Sequence, residues 1–268
     1  MRKQFTKDDV VNKLTKPYSM WAFIAILPLV KPLSLWIANK TDLTPNQITF
    51  ISFLLSVVSL VLFAIGEPLY LIIGGIFFEL SYVFDCVDGT IARLKNSGTY
   101  FGELWDHLLD RVKDNGLFIA LAYGQYRLSG DVEWLFYGFG IIFVYSIYYT
   151  RVIILEITEL KHSLKHKKSQ GELKESKRKQ LLNETFKVKN IKSSIAFLFK
   201  HNISPNPAGP ETEALIFFFG PILYAVYDPI MLKICIVLGG INLLFISTVR
   251  TLYTIIVMRK INNPGIEK

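Results

Sequence analysis

Long apolar runs recur along the whole chain, and a chain built this way is confined to a small set of folds. Runs long enough to span the ~30 Å hydrocarbon layer of a bilayer occupy residues 48–65, 69 to about 84, 101–123, 134–154, 214–227 and 230–258. A backbone crossing lipid must satisfy its own N–H and C=O groups, so such runs fold as helices. The expected fold class is an all-α integral membrane protein with six transmembrane helices. The fifth run is short, and the sixth is long enough to tilt or to project beyond the bilayer. An earlier stretch, 19–38, is interrupted by Pro28 and Pro32 and carries Lys31. It suits an N-terminal interfacial amphipathic helix ahead of the first span. A cleaved signal peptide is not expected, because residues 1–17 are charged and no small-residue cleavage site follows an apolar core.

Charge sets an orientation. Basic residues cluster before the first span, at Arg93 and Lys95, between spans four and five, and at Arg259 and Lys260. The alternate loops are short, and their only basic residue, Arg127, is outnumbered by Asp131 and Glu133. Both termini are therefore expected in the cytoplasm. The net charge of +8 fits membrane topology and contact with anionic lipid, and no nucleic-acid partner is expected. Residues 1–268 read as a single membrane domain with a basic, lysine-rich cytoplasmic insertion at about 156–210. The insertion suits a solvated loop whose helical pieces lie on headgroups, with 195–199 dipping into the interface and the proline-rich 205–210 as a stiff connector. A substrate-gathering or partner surface is its sharper reading. Cys86 and Cys235 lie in apolar segments without a CxxC pattern and read as buried thiols.

Inside this apolar sequence sit two carboxylate pairs. Asp85 and Asp88 are spaced i, i+3 on the second run, with Ala92 at i+7, and Gly102, Asp106 and Asp110 are spaced i, i+4, i+8 on the third. Each set occupies one helix face, and neighbouring antiparallel helices can turn those faces together. The 16 residues from Leu69 to Phe84 reach roughly 24 Å, which puts Asp85 near the cytoplasmic end of its span. Intramembrane carboxylates are expensive and are seldom without a task. Four convergent ones would repel strongly unless cations neutralise them. All-oxygen ligation selects Mg²⁺ or Mn²⁺, and two such ions can clamp a phosphoryl group during displacement. Gly89 and Gly102 leave room for a phosphate or sugar against the backbone, and Arg93 offers a planar fork for a diphosphate.

The spacing D-x2-D-G-x2-A-R-x8-G-x3-D-x3-D, complete from Asp85 to Asp110, resembles the signature of the CDP-alcohol phosphotransferases. It covers about a tenth of the chain, and its eight fixed positions leave little room for a chance match. The six spans and the preceding interfacial helix resemble the family too. The resemblance implies a membrane enzyme whose acceptor alcohol attacks a CDP-alcohol and releases CMP. The leading expectation is transfer of a phosphatidyl unit from CDP-diacylglycerol to a polar alcohol in phospholipid synthesis. The alternative is transfer of a small phospho-headgroup from its CDP form onto a lipid or other alcohol. By resemblance, Asp85, Asp88 and Asp106 ligate the metals. Asp110 completes that site and acts as the base, and Gly89, Arg93, Thr99 and Gly102 hold the nucleotide and diphosphate. Pro45, Asn46 and Gln47, in the Thr44–Gln47 turn, resemble the family's nucleotide-side element; on physics alone that turn is a helix start capped by Thr44 or Asn46. The cofactors implied are Mg²⁺ or Mn²⁺, in two ions. The partners implied are the CDP-alcohol, the acceptor and membrane lipids, and a homodimer is compatible with the sequence.

A cation channel or transporter would also explain the aspartates. It would not explain Gly89, Ala92, Arg93 and Gly102 at fixed offsets. Arg111 and Lys113 flank Asp110 and read either as ligands for an anionic acceptor or as snorkelling cations pairing with Asp114. His107 falls on a neighbouring helix face. By resemblance, family members that use phosphorylated acceptors often place arginines before the fifth span. This chain has Glu211-Thr212-Glu213 there, a departure that speaks against a phosphate-bearing acceptor. Those glutamates read either as first-turn residues favouring their helix dipole or as groups facing the pocket.

Overall fold

The computed structural model describes residues 4–14, 18–166, 203 and 209–262. Among them there is no strand, only an isolated bridge between Tyr18 and Ile203. The helices are α1 (Lys7–Lys13), α2 (Leu27–Lys40, entered through a π turn, Ala22–Ile26), α3 (Pro45–Ile65), α4 (Pro68–Lys95), α5 (Tyr100–Ser129) and α6 (Glu133–His166). They are followed by α7, which runs from Gly209–Ala214 through a π turn (Leu215–Phe219) into Gly220–Val226, and by α8 (Ile230–Asn262). Of the basic insertion, only the end of α6, Ile203 and the start of α7 are described; the expectations for 195–199 and most of 205–210 lie outside the described residues.

Local chemistry accounts for most boundaries. Thr44 caps α3 in a reciprocal box with Gln47 and is followed by Pro45 at the first helical position, where a missing N–H costs nothing. The same helix stops at Gly66, whose φ of +79° suits a residue without Cβ. Thr99 caps α5 by accepting the Gly102 N–H at 3.0 Å.

Small residues bring the helices together. Ser52 and Ser81 each donate to the other's backbone carbonyl at 2.9 Å, and Ser59 donates to the Gly74 carbonyl at 2.8 Å, which locks α3 to α4. This is close-packed membrane-helix association, in which polar groups find partners within the bundle. One core gathers Phe63, Phe78, Phe118, Phe217 and Tyr145. A second buries Val10, Ile26, Val30 and Ile37 from α1 and α2 against Val83, Val87 and Ile91 of α4. The cores thus brace the two halves of α4 from different sides and fix the aspartates it carries.

Two sequence expectations meet a different arrangement. Pro28 and Pro32 do not break the 19–38 stretch, because the helix runs through both to Lys40. Pro28 falls in the first turn of α2, just after the π turn, where helical N–H groups lack intrahelical partners in any case. Among the described residues, five helices are long and apolar enough to cross a membrane: Ala22–Lys40, Pro45–Ile65, Pro68–Lys95, Glu133–Ile154 and Ile230–Leu252. The expected third and fifth spans are not among them. Charged residues including Glu103, Asp106, Asp110, Arg111, Lys113 and Asp114 run along α5, and α7 is short and carries Glu211 and Glu213.

Candidate active site at the aspartate cluster

Asp85 and Asp88 project from the last turns of α4, and Asp106 and Asp110 from the first turns of α5. One carboxylate oxygen from each of Asp85, Asp106 and Asp110 lies within 4.8 Å of the others. Asp88, expected in the same group, is not one of the three. Its carboxylate is buried and accepts the Thr49 hydroxyl at 2.6 Å, which ties it to α3. Three of the four aspartates thus converge, and the fourth is hydrogen-bonded to α3.

The cluster has the chemistry of a hard divalent-cation site. All its donors are carboxylate oxygens, and Asp106 Oδ1 is buried without any hydrogen-bond partner. A buried acceptor in that condition costs free energy unless something fills it. Lys113 meets part of the charge: its Nζ lies 2.7 Å from Asp110 and 3.2 Å from Asp85. Both carboxylates thus point at one ammonium. Arg111 follows the other reading, pairing with Asp114 at 3.3 Å and laying its guanidinium over the Tyr149 ring at 3.3 Å.

The nucleotide-side expectations fall around the mouth of this cluster. Arg93 is exposed and extends over Gly89, where an added Cβ would sit 3.1 Å from its Nη1. Its Nε donates to the Lys13 carbonyl at 2.6 Å, so the end of α1 aims the guanidinium. Gly102 lies where a Cβ would come 3.2 Å from Thr99 Oγ1 and 3.3 Å from Asn46 Oδ1. Asn46 and Thr99 thereby converge on one glycine, joining the starts of α3 and α5. Gln47 is spent in the capping box, its Oε1 accepting the Thr44 N–H at 2.9 Å, and Pro45 is the first residue of α3.

On the other side of Asp85 and Asp110, a cavity of about 110 Å³ is lined by Tyr82, Lys113, Asp114, Tyr149, Glu213 and neighbouring side chains. The Tyr145 hydroxyl behind it contacts both Glu213 Oε1 and, at 2.9 Å, Asp114 Oδ2. Glu213 thus faces the pocket. Glu211 sits in the first turn of α7, as one expectation had it, and does not line the cavity; its Oε1 also accepts the backbone N–H groups of Met20 and Trp21 at 2.6 and 3.3 Å. It caps the start of a different helix, where negative charge is favoured by the exposed N–H groups. His107 is exposed. Arg151 ties α6 to α8 through Thr251 at 3.0 Å and keeps both Nη atoms buried without a partner.

Three parts of this site lie outside the motif. Asp114 had a readable signal, since it continues the i, i+4 row of Gly102, Asp106 and Asp110. Tyr145 and Tyr149 share a face of α6 by the same spacing, but aromatic pairs at helical spacing are common in any core. Nothing local marks Thr49 as the partner of a residue 39 positions away.

The family model for CDP-alcohol phosphatidyltransferase matches residues 42–258. The chain belongs to this family. Among curated relatives, the phosphatidylinositol phosphate synthase of Corynebacterium glutamicum is 40% identical over 85 residues, 31% of this chain and 37% of that protein. The CDP-diacylglycerol–glycerol-3-phosphate 3-phosphatidyltransferase of Mycoplasma pneumoniae is 45% identical over 60 residues, 22% of this chain and 26% of that protein. The match thus spans little more than a third, or less, of these relatives' length. Over a longer reach, the crystal structure of Mycobacterium tuberculosis phosphatidylinositol phosphate synthase with CDP-DAG bound aligns at TM-score 0.56 and 17% identity, covering 84% of this chain and 92% of that one. The same enzyme in complex with manganese and citrate aligns at TM-score 0.56 and 18% identity, covering 84% and 88%. The likeness to these structures is one of fold, shared by this family member and an enzyme crystallised with a divalent metal.

Proposed function

We propose that this CDP-alcohol phosphotransferase family member transfers a substituted phosphate from a CDP-alcohol, most simply CDP-diacylglycerol, to an acceptor alcohol and releases CMP. The observation that carries the reading is the convergence of Asp85, Asp106 and Asp110 around a buried, unpartnered Asp106 oxygen. Those three residues, with Asp88 beside them, would hold Mg²⁺ or Mn²⁺, in two ions. Bound there, divalent ions would polarise the diphosphate and offset the charge that develops on it.

The remaining steps belong to the chain's own residues. Arg93, aimed by the Lys13 carbonyl, pairs with the diphosphate, while Gly89, Gly102, Thr99 and the Pro45–Gln47 turn leave space for the nucleotide and border it. Asp110 accepts the proton of the acceptor hydroxyl. The freed oxygen attacks the phosphorus that carries the donor's alcohol, the bond from that phosphorus to the CMP oxygen breaks, and CMP leaves. One P–O bond forms, one is lost, and one proton is released.

The membrane arrangement that suits this chemistry is one domain of six spans behind an interfacial helix. The basic insertion, both termini and the active site would then lie on the cytoplasmic side, as the distribution of lysine and arginine favours. The test is CMP release by purified protein from CDP-diacylglycerol and other CDP-alcohols, with Mn²⁺ or Mg²⁺ and with chelator. Asp88→Asn should lower metal-dependent release by orders of magnitude. Asp110→Asn should abolish turnover and leave CDP-alcohol binding in place, because loss of a base acts on the chemical step. Full activity in Asp88→Asn with unchanged metal dependence would overturn the proposal.

A further inference from the structure

Ahead of residues 42–258, the stretch that the family model matches, α1 and α2 form the walls of an open groove of about 610 Å³. That volume lies in the range of sites that take whole small molecules. The floor is apolar: Val10 and Val11 from α1, and Pro28, Pro32, Leu35 and Trp36 from α2. On α2 these positions fall at i, i+4, i+7 and i+8, one stripe of a helix. The neighbouring stripe, Leu27, Val30 and Ile37, is spent in the core against α4. The groove stripe is left open, and Trp36 is 57% exposed.

Three lysines rim this floor, Lys7 from α1 and Lys31 and Lys40 from α2. Among the described residues no carboxylate joins the lining, and none of the three lysines makes an ion pair. Asp9, also on α1, is turned to its own helix start, where Oδ2 accepts the Thr6 N–H and hydroxyl at 2.8 Å each. Uncompensated cations around an apolar floor, with a tryptophan beside them, suit a ligand that is anionic at one end and apolar along the rest. In a chain with five helices long and apolar enough to cross a bilayer among its described residues, the molecule at hand with that chemistry is an anionic phospholipid. The lysine-rich insertion carries the same sign of charge as the rim and does not complement it.

The groove also bears on where α1 sits. At seven residues, α1 is well below the ~12–15 that an isolated helix needs in water, so its position depends on what it packs against. Asn39 ties its start, accepting the Phe5 N–H at 2.8 Å and donating to the Phe5 carbonyl at 2.9 Å. At its other end the Lys13 carbonyl accepts from Arg93 Nε. A molecule packed against Val10 and Val11 therefore steadies the carbonyl that aims Arg93.

We infer that the α1–α2 groove binds an anionic phospholipid, an acyl chain lying along Val11, Pro32 and Trp36 and the phosphate held by the lysines, and that its occupation seats α1 against Arg93. None of the residues assigned to the CDP-alcohol lines the groove, so this lipid is a separate molecule. The binding site stands on its own; the effect through Arg93 rests on the transferase reading. Each lysine near an anionic surface strengthens binding by roughly fivefold, so loss of all three is large enough to read.

The experiment places the full chain in phosphatidylcholine vesicles, without and with phosphatidylglycerol, and reads tryptophan fluorescence with bromine on the chains of one lipid or the other. Brominated phosphatidylglycerol should quench the native chain more than brominated phosphatidylcholine at equal content. That excess should vanish in Trp36→Phe and in the triple variant Lys7→Gln/Lys31→Gln/Lys40→Gln, both melting as the native chain does in phosphatidylcholine alone. An excess that survives in either variant marks surface attraction elsewhere and would overturn the site. Displacement of the lipid by inorganic phosphate would overturn it too, in favour of a free anion. For the effect on Arg93, CMP release is measured with a short-chain CDP-diacylglycerol and an acceptor that supports turnover. Phosphatidylglycerol should lower the donor's KM at least threefold in the native chain and not in the triple variant; simple repulsion between an anionic donor and an anionic surface gives the opposite sign. A native KM that rises or stays level would overturn the seating of α1. No CMP from any donor would sink the transferase reading and the Arg93 effect with it, while the quenching still decides the site.

Discussion

Lys113→Met offers a measurement of what the aspartate cluster is built to hold. The substitution keeps the length and apolar stem of the side chain and removes the ammonium that stands 2.7 Å from Asp110 and 3.2 Å from Asp85. At an effective dielectric of about 20, those separations correspond to attractions of ~6 and ~5 kcal/mol. Desolvation of three partly buried charged groups cancels most of that sum, as it does for buried ion pairs in general. Removing one partner is different, because it leaves two carboxylates facing each other, and the cost is about 3–5 kcal/mol. For a chain of this size, at about 2–4 °C per kcal/mol, the metal-free variant should melt roughly 6–20 °C below the native protein. Divalent ions should then replace the lost charge. The rise in melting midpoint on adding Mn²⁺ should accordingly be larger in Lys113→Met than in the native chain, and half-saturation should come at lower Mn²⁺. The assay is thermal unfolding in detergent, with chelator and across a Mn²⁺ series. A metal-free midpoint within 2 °C of native, or a Mn²⁺ response no larger than native, would refute the reasoning.

Two further predictions separate binding from folding. Asn46→Ala should raise the KM for the CDP-alcohol with little change in melting, whereas Thr44→Ala should lower stability by about 1 kcal/mol through the lost cap and leave KM near native; steady-state kinetics beside thermal unfolding reads both. Gly124→Ala should collapse folded yield on size-exclusion chromatography, because the new Cβ would fall 2.1 Å from the Phe63 carbonyl oxygen, whereas Gly140→Ala, with nothing within 4 Å of its Cβ, should fold normally.

The features legible in the sequence are those whose physics is local. Apolar runs of membrane-spanning length dictate helices because lipid offers the backbone no other partners. The cap at Thr44 is a short-range hydrogen bond between residues three apart. The aspartates of the motif could be placed on two helix faces because side chains at i, i+3 and i+4 necessarily share a face. The continuity of the 19–38 stretch is not legible locally: Pro28 falls in the first turn of α2, where its missing N–H costs little, and the helix also runs on through Pro32 in its interior.

What the tertiary structure alone decided is which of those faces meet, and with what. Asp88 meets Thr49 because α3 packs against α4 through Ser52, Ser59 and Ser81 and brings that hydroxyl within 2.6 Å. Glu211 and Glu213, two residues apart, part company: one caps a helix that starts 190 positions earlier, and the other joins Tyr145, 68 positions away. Lys113 could have paired with Asp114 by sequence and instead bridges α4 and α5. In each case the deciding quantity is the rotation and crossing of helices distant in the chain. It is set by packing around Phe63, Phe78, Phe118 and Phe217, and no local pattern encodes it.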